Sequence, residues 1–263
     1  MLYNNISDKY ESLAKNQTQA AQHLLSIIPD RNYNHALDIG CGTGKLTAAL
    51  SSVAKNTIGI DFSVGMIDQA IQQYDGYANF LVKSVYDLSE KNQYDLVVCN
   101  SSLHWFKDID VALNNIFHSL VPSGILAIQT PVKFWSELLC DAITQTMQNE
   151  RVIFYANHYS NPWFHLQNVD EYNKYISKFP NRLLVKEDVT VVSKQMSIKD
   201  VMGMFYSGPA QAYLSEDNYS IALPVYFEEL FITIFRRVLE NIWGERKLMD
   251  VSYNRCFLIV EKL

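Results

Sequence analysis

The sequence predicts an α/β fold, a doubly wound and mostly parallel β-sheet with helices on both faces. Short apolar runs alternate with helical patterns over residues 35–130, and strands separated by helices form βαβ units with parallel strands. The strand candidates are apolar throughout rather than alternating, which is typical of strands buried on both faces. With 263 residues, 48% of them hydrophobic, the chain is long enough for one large domain or for a core domain with a smaller cap.

The first predicted element is an amphipathic helix over residues 7–28, where apolar residues recur at helical spacing until Pro29 and Asp30 end it. The strand candidates that follow are HALDIG, NTIGID, ANFLV, YDLVVCN and GILAIQT. Helical patterns begin after the first, second and fourth of these strands, at Thr43, at Ser63 and near Asp108. This order provides the βαβ units of the predicted sheet.

After Pro131 the character of the chain changes. Residues 133–180 are rich in Trp, Tyr, Phe and Asn and contain no clear strand pattern, so we expect an inserted helical cap. RLLVKEDVTVV then predicts a strand that returns to the sheet, helical patterns cover residues 198–206 and 224–242, and CFLIVEK predicts the last strand. The predicted organisation is an N-terminal helical lid over residues 1–30, a core formed by 31–132 and 181–263, and a cap over 133–180.

Charge and composition exclude several classes of partner. Lys and Arg number 22 against 28 Asp and Glu, so the net charge of −6 provides no general attraction to nucleic acid. No apolar stretch approaches the roughly 18 residues of a membrane helix, and the N-terminus lacks the pattern of a signal peptide. Four widely spaced cysteines without a CxxC pair indicate reduced thiols. We therefore expect a cytoplasmic monomer or homodimer without nucleic-acid or membrane partners.

A glycine-rich turn marks the candidate ligand site. Residues 40–44, with the sequence GCGTG, lie between a strand and a helix, where glycines allow a tight turn and a close approach to a ligand. Asp61 ends the next strand, where a carboxylate accepts both hydroxyls of a ribose. The spacing is GxGxG rather than the GxGxxG of dinucleotide folds, and Asp38 would repel phosphates but hold an ammonium group. A zwitterionic cofactor therefore fits better than a nicotinamide dinucleotide, while the plain alternative is a turn without a ligand.

Four segments carry a resemblance to a known family. LDIGCGTG, IGIDFSVGMIDQA, YDLVVCNSSLHW and LVPSGILAIQT are similar to the successive motifs of class I S-adenosylmethionine-dependent methyltransferases and span about residues 35–130. The resemblance implies a Rossmann-like, seven-stranded sheet whose last strand is antiparallel and inserted between its neighbours. It also implies S-adenosylmethionine as cofactor, S-adenosylhomocysteine as product, and no metal.

The resemblance assigns roles to individual residues. The turn would approach the methionine portion of the cofactor, Asp61 the ribose and Asn100 the sulfonium end through its backbone, while the N-terminal helix would fold over the cofactor as a lid. Many relatives carry an Asp at the adenine amino group where this chain has Ser84, with Asp87 nearby, which puts that contact in doubt. Met66, assigned to the adenine, has the alternative of a plain core residue. The implied cofactor-binding residues are Tyr10, Gln17, Asp38, Gly40, Cys41, Gly42, Gly44, Asp61, Phe62, Met66, Ser84, Val85 and Asn100.

His104 and Trp105 follow the fourth strand, at the edge of the sheet where ligands bind in such folds, and are the candidates on the substrate side. A structural role is the alternative for each of them. Methyl transfer needs alignment of the reactants and exclusion of water more than a strong base, and a carboxylate is already a nucleophile at neutral pH. The Asn/Asp-Pro-Pro-aromatic signature of nucleic-acid amino-methyltransferases does not follow this strand.

The whole layout resembles the trans-aconitate methyltransferases and the malonyl-acyl-carrier-protein O-methyltransferases, both of which methylate carboxylates. The resemblance implies a small-molecule or acyl-carrier-linked carboxylate as substrate, with Arg151 or Arg182 available to bind it. Three other hypotheses stay open: a methyltransferase that acts on another small-molecule acceptor, a catalytically silent S-adenosylmethionine-binding regulatory module, and a nicotinamide dehydrogenase, against which the glycine spacing and Asp38 argue.

Overall fold

The structure is a computed structural model that describes residues 15–263. The strands are β1 Tyr33–Ile39, β2 Ala54–Asp61, β3 Asn79–Val82, β4 Tyr94–Asn100, β5 Leu120–Pro131, β6 Arg182–Met196 and β7 Met249–Lys262. The helices are α1 Lys15–Ile27, α2 Lys45–Leu50, α3 Val64–Tyr74, α4 Ile109–Ser119, α5 Glu137–Met147, α6 Ile153–Ala156, α7 Val169–Ile176, α8 Ile198–Tyr206, α9 Pro209–Leu214 and α10 Phe227–Trp243. Short 3₁₀ turns lie at Val85–Asp87, Leu103–Trp105 and Glu216–Asn218.

The seven strands form one sheet in the order β3-β2-β1-β4-β5-β7-β6. The first five strands pair in parallel, and β7 pairs antiparallel with β5, from Ile125 opposite Glu261 to Pro131 opposite Arg255. The predicted Rossmann-like α/β fold, with its last strand antiparallel between two neighbours, is confirmed. Because β7 runs against the parallel strands, the first of its residues that pair with β5 lies where β5 ends.

Both faces of the central strands β1, β4 and β5 are mostly buried, as their apolar sequences predict, whereas the edge strands β3 and β6 are largely exposed. Successive residues of a strand point to opposite faces, and Val97 and Cys99 accordingly belong to a different apolar cluster from Leu96 and Val98. The helix α4 packs on the face that contains Val97 and Cys99, and α1 packs on the face that contains Leu96 and Val98. The ends of the parallel strands are therefore fixed by packing from both sides.

The chain divides into two compact units. The sheet unit contains residues 15–133, Phe164–Val189 and Arg255–Leu263, and the second unit contains Phe134–Trp163 and Thr190–Asn254. The second unit has an aromatic core that includes Phe205, Phe231 and Trp243. No helix within residues 15–263 is long and apolar enough to cross a membrane.

These boundaries differ from the predicted core and cap. Residues 164–180, expected in the cap, belong to the sheet unit, and residues 190–254, expected in the core, belong to the second unit. The physical reason lies in α7, where Tyr172 and Ile176 pack into the core of the sheet and the Tyr172 hydroxyl donates to the Pro131 carbonyl at 3.0 Å. A substrate-facing role for residues 133–180 stays a prediction.

The predicted N-terminal helix is present as α1 over the part that the structure describes. Tyr10 lies outside the described residues, and so does the side chain of Gln17, which belongs to α1. Their assignment to a lid over the cofactor stays a prediction.

Candidate active site

The glycine turn is held at the ends of β1 and β2 by backbone hydrogen bonds. The amides of Gly40 and Cys41 both donate to the Ile60 carbonyl, at 2.8 and 3.0 Å, and the Gly44 amide donates to the Cys41 carbonyl at 3.1 Å. Since these bonds join the turn to the neighbouring strand, the turn has a fixed position relative to Asp61. Burial raises the pKa of the Cys41 thiol well above its usual value, so Cys41 lines the turn as a neutral thiol.

Gly40 and Gly42 both have positive φ but lie in different surroundings. Gly40 has φ 70°, and a Cβ built on it would lie 2.4 Å from the Cβ of Ser102, a distance that a side chain cannot adopt. Gly42 has φ 55°, yet a Cβ built there meets no atom of the described chain within 4 Å. Gly40 therefore allows the ends of β1 and β4 to approach each other, whereas Gly42 borders open space.

Asp61 is fixed by the turn that it faces. Its carboxylate accepts from the Gly42 amide at 3.0 Å and from the Ser63 amide at 2.9 Å. Burial raises the pKa of this carboxyl, while the backbone donors lower it. A carboxylate offers about four acceptor positions, so Asp61 retains capacity for hydroxyl donors. This geometry fits the predicted contact with a ribose.

Asp38 is a buried acid beneath the turn. It is 1% exposed, and the Thr47 hydroxyl donates to its carboxylate at 2.7 Å. Burial raises the pKa of Asp38 from 3.8 to about 7; the Thr47 hydrogen bond lowers it, and repulsion by Asp61 raises it. The charged form of Asp38 is therefore costly by itself, and a nearby cation would stabilise it.

The predicted adenine residues differ in exposure. Phe62 is 55% exposed, whereas Met66 is 4% exposed and lies in the first turn of α3. The Ser84 hydroxyl accepts from the Tyr86 amide at 3.2 Å as the cap of a 3₁₀ turn. Val85 is buried and Asp87 is exposed. The burial of Met66 agrees with the core alternative, and the adenine contacts of all these residues stay predictions.

The end of β4 is locked to the end of β1. Ser101 adopts φ 55°, and the Ser102 hydroxyl donates to the Ile39 carbonyl at 2.6 Å. Asn100, which ends β4, has a buried side-chain oxygen with no hydrogen-bond partner among the described residues. Asn100 thus combines a fixed backbone position with an acceptor that a ligand can use.

His104 and Trp105 lie in the 3₁₀ turn that follows, beside a second histidine. The ring centroid of His104 is 5.4 Å from that of Trp105 and 5.5 Å from that of His165. The Phe164 amide donates to the His104 carbonyl at 2.8 Å, which brings His165 to this turn. Burial lowers the pKa of His165 to about 4. The pKa of His104 lies well below its usual value because of burial, with smaller contributions from His165 and Arg255. Both imidazoles are therefore neutral and weakly basic at pH 7.

Gln129 and Arg255 complete this edge of the sheet, and the sequence reading missed both, together with His165. Gln129 is fully buried, and its side-chain oxygen accepts from the Ser101 hydroxyl at 2.5 Å. The Arg255 guanidinium reaches the same hydroxyl at 3.5 Å. The sequence signals for these residues are a polar side chain near the end of an apolar strand, as in LAIQT, and a cation directly before an apolar run, as in RCFLIVE.

The two arginines suggested from sequence lie elsewhere. Arg182 donates to the Ser177 carbonyl at the start of β6, and Arg151 is exposed in the second unit. Residues 15–263 contain no group of three or more His, Cys, Asp or Glu side chains that could hold a metal, and the absence of a metal stays a prediction.

Comparison with known proteins relates this geometry to a family. Residues 37–128 match the model of a methyltransferase domain family. The chain is 32% identical over 126 residues to trans-aconitate 2-methyltransferase of Deinococcus radiodurans, which covers 47% of this chain and 48% of that protein. It is 30% identical over 134 residues to malonyl-[acyl-carrier protein] O-methyltransferase of Priestia megaterium, which covers 49% of each chain. The chain resembles the class I S-adenosylmethionine-dependent methyltransferases.

A solved structure shows that the likeness in fold covers nearly the whole chain. Phosphoethanolamine N-methyltransferase 2 of Haemonchus contortus, in complex with phosphomonomethylethanolamine and S-adenosylhomocysteine, matches 98% of this chain and 58% of its own, at TM-score 0.56 and 17% identity. In sequence, by contrast, the chain spans about half the length of the curated relatives that it matches.

The methyltransferase match has a definite limit along the chain. It includes Asp38, the glycine turn, Asp61 and Asn100, and ends at residue 128. Gln129, His165 and Arg255 lie beyond it. The matched segment therefore covers the proposed cofactor side of the site, while much of the other side comes from later parts of the chain.

Proposed function

We propose that this chain is an S-adenosylmethionine-dependent methyltransferase that O-methylates a carboxylate of a small molecule or of an acyl group on a carrier protein. The observation that carries the cofactor assignment is the pair of buried carboxylates, Asp38 and Asp61, on either side of the glycine turn. Negative charge at this place repels the phosphates of a dinucleotide. It attracts the ammonium group of a methionine moiety, and in this proposal Asp61 binds the hydroxyls of the ribose.

The chemistry at the acceptor side supports a carboxylate. S-adenosylmethionine supplies an electrophilic methyl group, and S-adenosylhomocysteine is left after the transfer. An alcohol or an ammonium group must lose a proton before it can attack, whereas a carboxylate attacks as it stands at pH 7. His104 is buried and His165 is half-buried, and both are neutral and weakly basic, so they serve poorly as general bases. A reaction without proton transfer suits this site.

The protein then has two tasks, alignment of the reactants and exclusion of water. In this proposal the turn holds the methionine portion of the cofactor, Asp61 binds the ribose and Asn100 borders the reacting end. Trp105, half-buried beside His104, forms a wall of the acceptor pocket. The two curated relatives, named for trans-aconitate and for malonyl-acyl-carrier protein, support the choice of an acid. The four free cysteines support the further proposal of a cytoplasmic protein.

Thermal shift tests the cofactor assignment, because a ligand present at 100 times its Kd stabilises a protein by about 2.7 kcal/mol. S-adenosylhomocysteine should raise the Tm and NAD should not; equal shifts would reject the assignment.

The acceptor class is tested by release of S-adenosylhomocysteine in a screen of trans-aconitate, malonyl-carrier protein, alcohols, phenols and amines. Turnover of acids alone supports the proposal, and turnover of phenols or amines alone contradicts it. Cofactor binding without turnover of any acceptor would favour the silent regulatory module.

A further inference from the structure

We propose that Gln129 and Arg255, linked by Ser101, form a subsite that binds a carboxylate of the methyl acceptor. This inference rests on the proposed function, because it names the residues that would recognise an acid. It replaces Arg151 and Arg182 with a cation that the sheet itself brings to the site.

Strand pairing places the three residues together. In the parallel pair of β4 and β5, Gln129 lies opposite Asn100, and Ser101 is the next residue after β4. In the antiparallel pair of β5 and β7, Arg255 lies opposite Pro131. The end of β4, the end of β5 and the first β7 residues that pair with β5 therefore meet at one edge. Gln129 is one strand away from Asn100, the residue assigned to the reacting end of the cofactor.

The hydrogen bonds among these residues have a defined direction. A guanidinium can only donate, so the Ser101 oxygen accepts from Arg255 at 3.5 Å. The Ser101 hydroxyl then donates to the Gln129 side-chain oxygen, with the two oxygens 2.5 Å apart. The amide oxygen of Gln129 is thus an acceptor for Ser101, and its NH₂ group is left as a donor. That nitrogen is buried and has no hydrogen-bond partner among the described residues.

A buried donor without an acceptor is costly, and a ligand oxygen would remove the cost. The neighbouring charges select an anion, since Arg255 is cationic and close enough to lower the pKa of His104, while His104 and His165 are neutral at pH 7. A carboxylate presents two oxygens in one plane, which suits recognition by the guanidinium fork and an amide NH₂ group. An amine or another cation would be repelled by Arg255.

Calorimetry on the full chain saturated with S-adenosylhomocysteine tests the subsite, with trans-aconitate, malonate and inorganic phosphate as probes. Wild type should bind at least one of the two acids more tightly than phosphate. Arg255→Lys and Gln129→Met should weaken that binding by about 10- to 100-fold, the usual range for hydrogen bonds to a charged group. Gln129→Glu should weaken acid binding most, because it replaces the amide with a negatively charged carboxylate of the same size. The affinity for S-adenosylhomocysteine should change less than about twofold.

Arg246→Ala is the control, because Arg246 is an exposed arginine of the second unit, and its binding of acids should equal that of wild type. If Arg255→Lys fails to fold, the near-isosteric Gln129→Met carries the test. Unchanged acid binding or KM in the folded variants would overturn the subsite while the proposed function stands. Failure of wild type to bind or methylate any acid would overturn both. Preference for phosphate over both acids would overturn the choice of a carboxylate.

Discussion

Substitution of Gly40 and of Gly42 by alanine should separate packing from ligand binding within one turn. Both residues have positive φ, 70° and 55°. A Cβ on Gly40 would lie 2.4 Å from the Ser102 Cβ, whereas a Cβ on Gly42 meets no described atom within 4 Å. Ser102 cannot move away without a loss, because its hydroxyl donates to the Ile39 carbonyl at 2.6 Å.

The magnitudes follow from these two environments. A left-handed backbone conformation costs an L-residue about 1–2 kcal/mol, and both variants bear this cost. Forcing an extra methyl group into a packed contact adds about 1–3 kcal/mol, and only Gly40→Ala bears it. We expect the free energy of unfolding to fall by about 2–5 kcal/mol for Gly40→Ala and by about 1–2 kcal/mol for Gly42→Ala.

Urea unfolding measures the stability of both variants, and calorimetry with S-adenosylhomocysteine measures their binding. Gly42→Ala should weaken that binding by about tenfold or more, because its methyl group enters the space proposed for the cofactor. Equal losses of stability in the two variants would refute the argument from the Ser102 contact. Unchanged affinity in Gly42→Ala would show that the open space beside Gly42 does not hold the cofactor.

Three further predictions concern the acids and the indole of the site. Asp61→Ala should weaken binding of S-adenosylhomocysteine by about 1.5–3 kcal/mol in calorimetry, and an unchanged affinity in the folded variant would reject Asp61 as the ribose ligand. Burial raises the pKa of Asp38 from 3.8 to about 7, so the folded state retains a proton that the unfolded state releases. Wild type should therefore lose stability relative to Asp38→Asn as the pH rises from about 4 to about 7; parallel pH curves would contradict this. Trp105→Ala should impair turnover more than cofactor affinity, and a lower Tm with normal kinetics would instead assign Trp105 to the core.

The sheet could be predicted because its signals are local. Each strand of the first half is a short apolar run followed by a turn or a helix, and parallel order brings the ends of such strands to one edge. Asp38, Asp61 and Asn100 stand at three of those ends, so their common location followed from the sequence. The boundary of the second unit after residue 163 could not be predicted from the sequence. It depends on the packing of Tyr172 into the core of the sheet, and no local pattern before Tyr172 indicates that packing.

Gln129 and Arg255 could not be placed from sequence for a related reason. Their proximity depends on the register of β5 with β7, in which Arg255 faces Pro131, and no local pattern fixes a register between strands so far apart in the chain. The sequence indicates Arg151 and Arg182 by residue type alone, which does not locate them relative to the site. The position of an arginine in a sheet follows only once the strand that carries it has been paired with its neighbour.

Because β7 is antiparallel, the residues proposed to bind the cofactor and those proposed to bind the acceptor come from different parts of the chain. Parallel strands present their last residues at the ligand edge, so the proposed cofactor side can be built from one continuous segment, here residues 37–128. An antiparallel neighbour runs the other way, so Arg255, the first β7 residue that pairs with β5, lies opposite Pro131 at that same edge. If the proposed subsite binds the acceptor, a substitution of Arg255 or Gln129 changes acceptor binding and leaves the glycine turn and Asp61 intact. Selectivity for the acceptor can therefore change in this architecture without any change in the residues proposed to bind the cofactor.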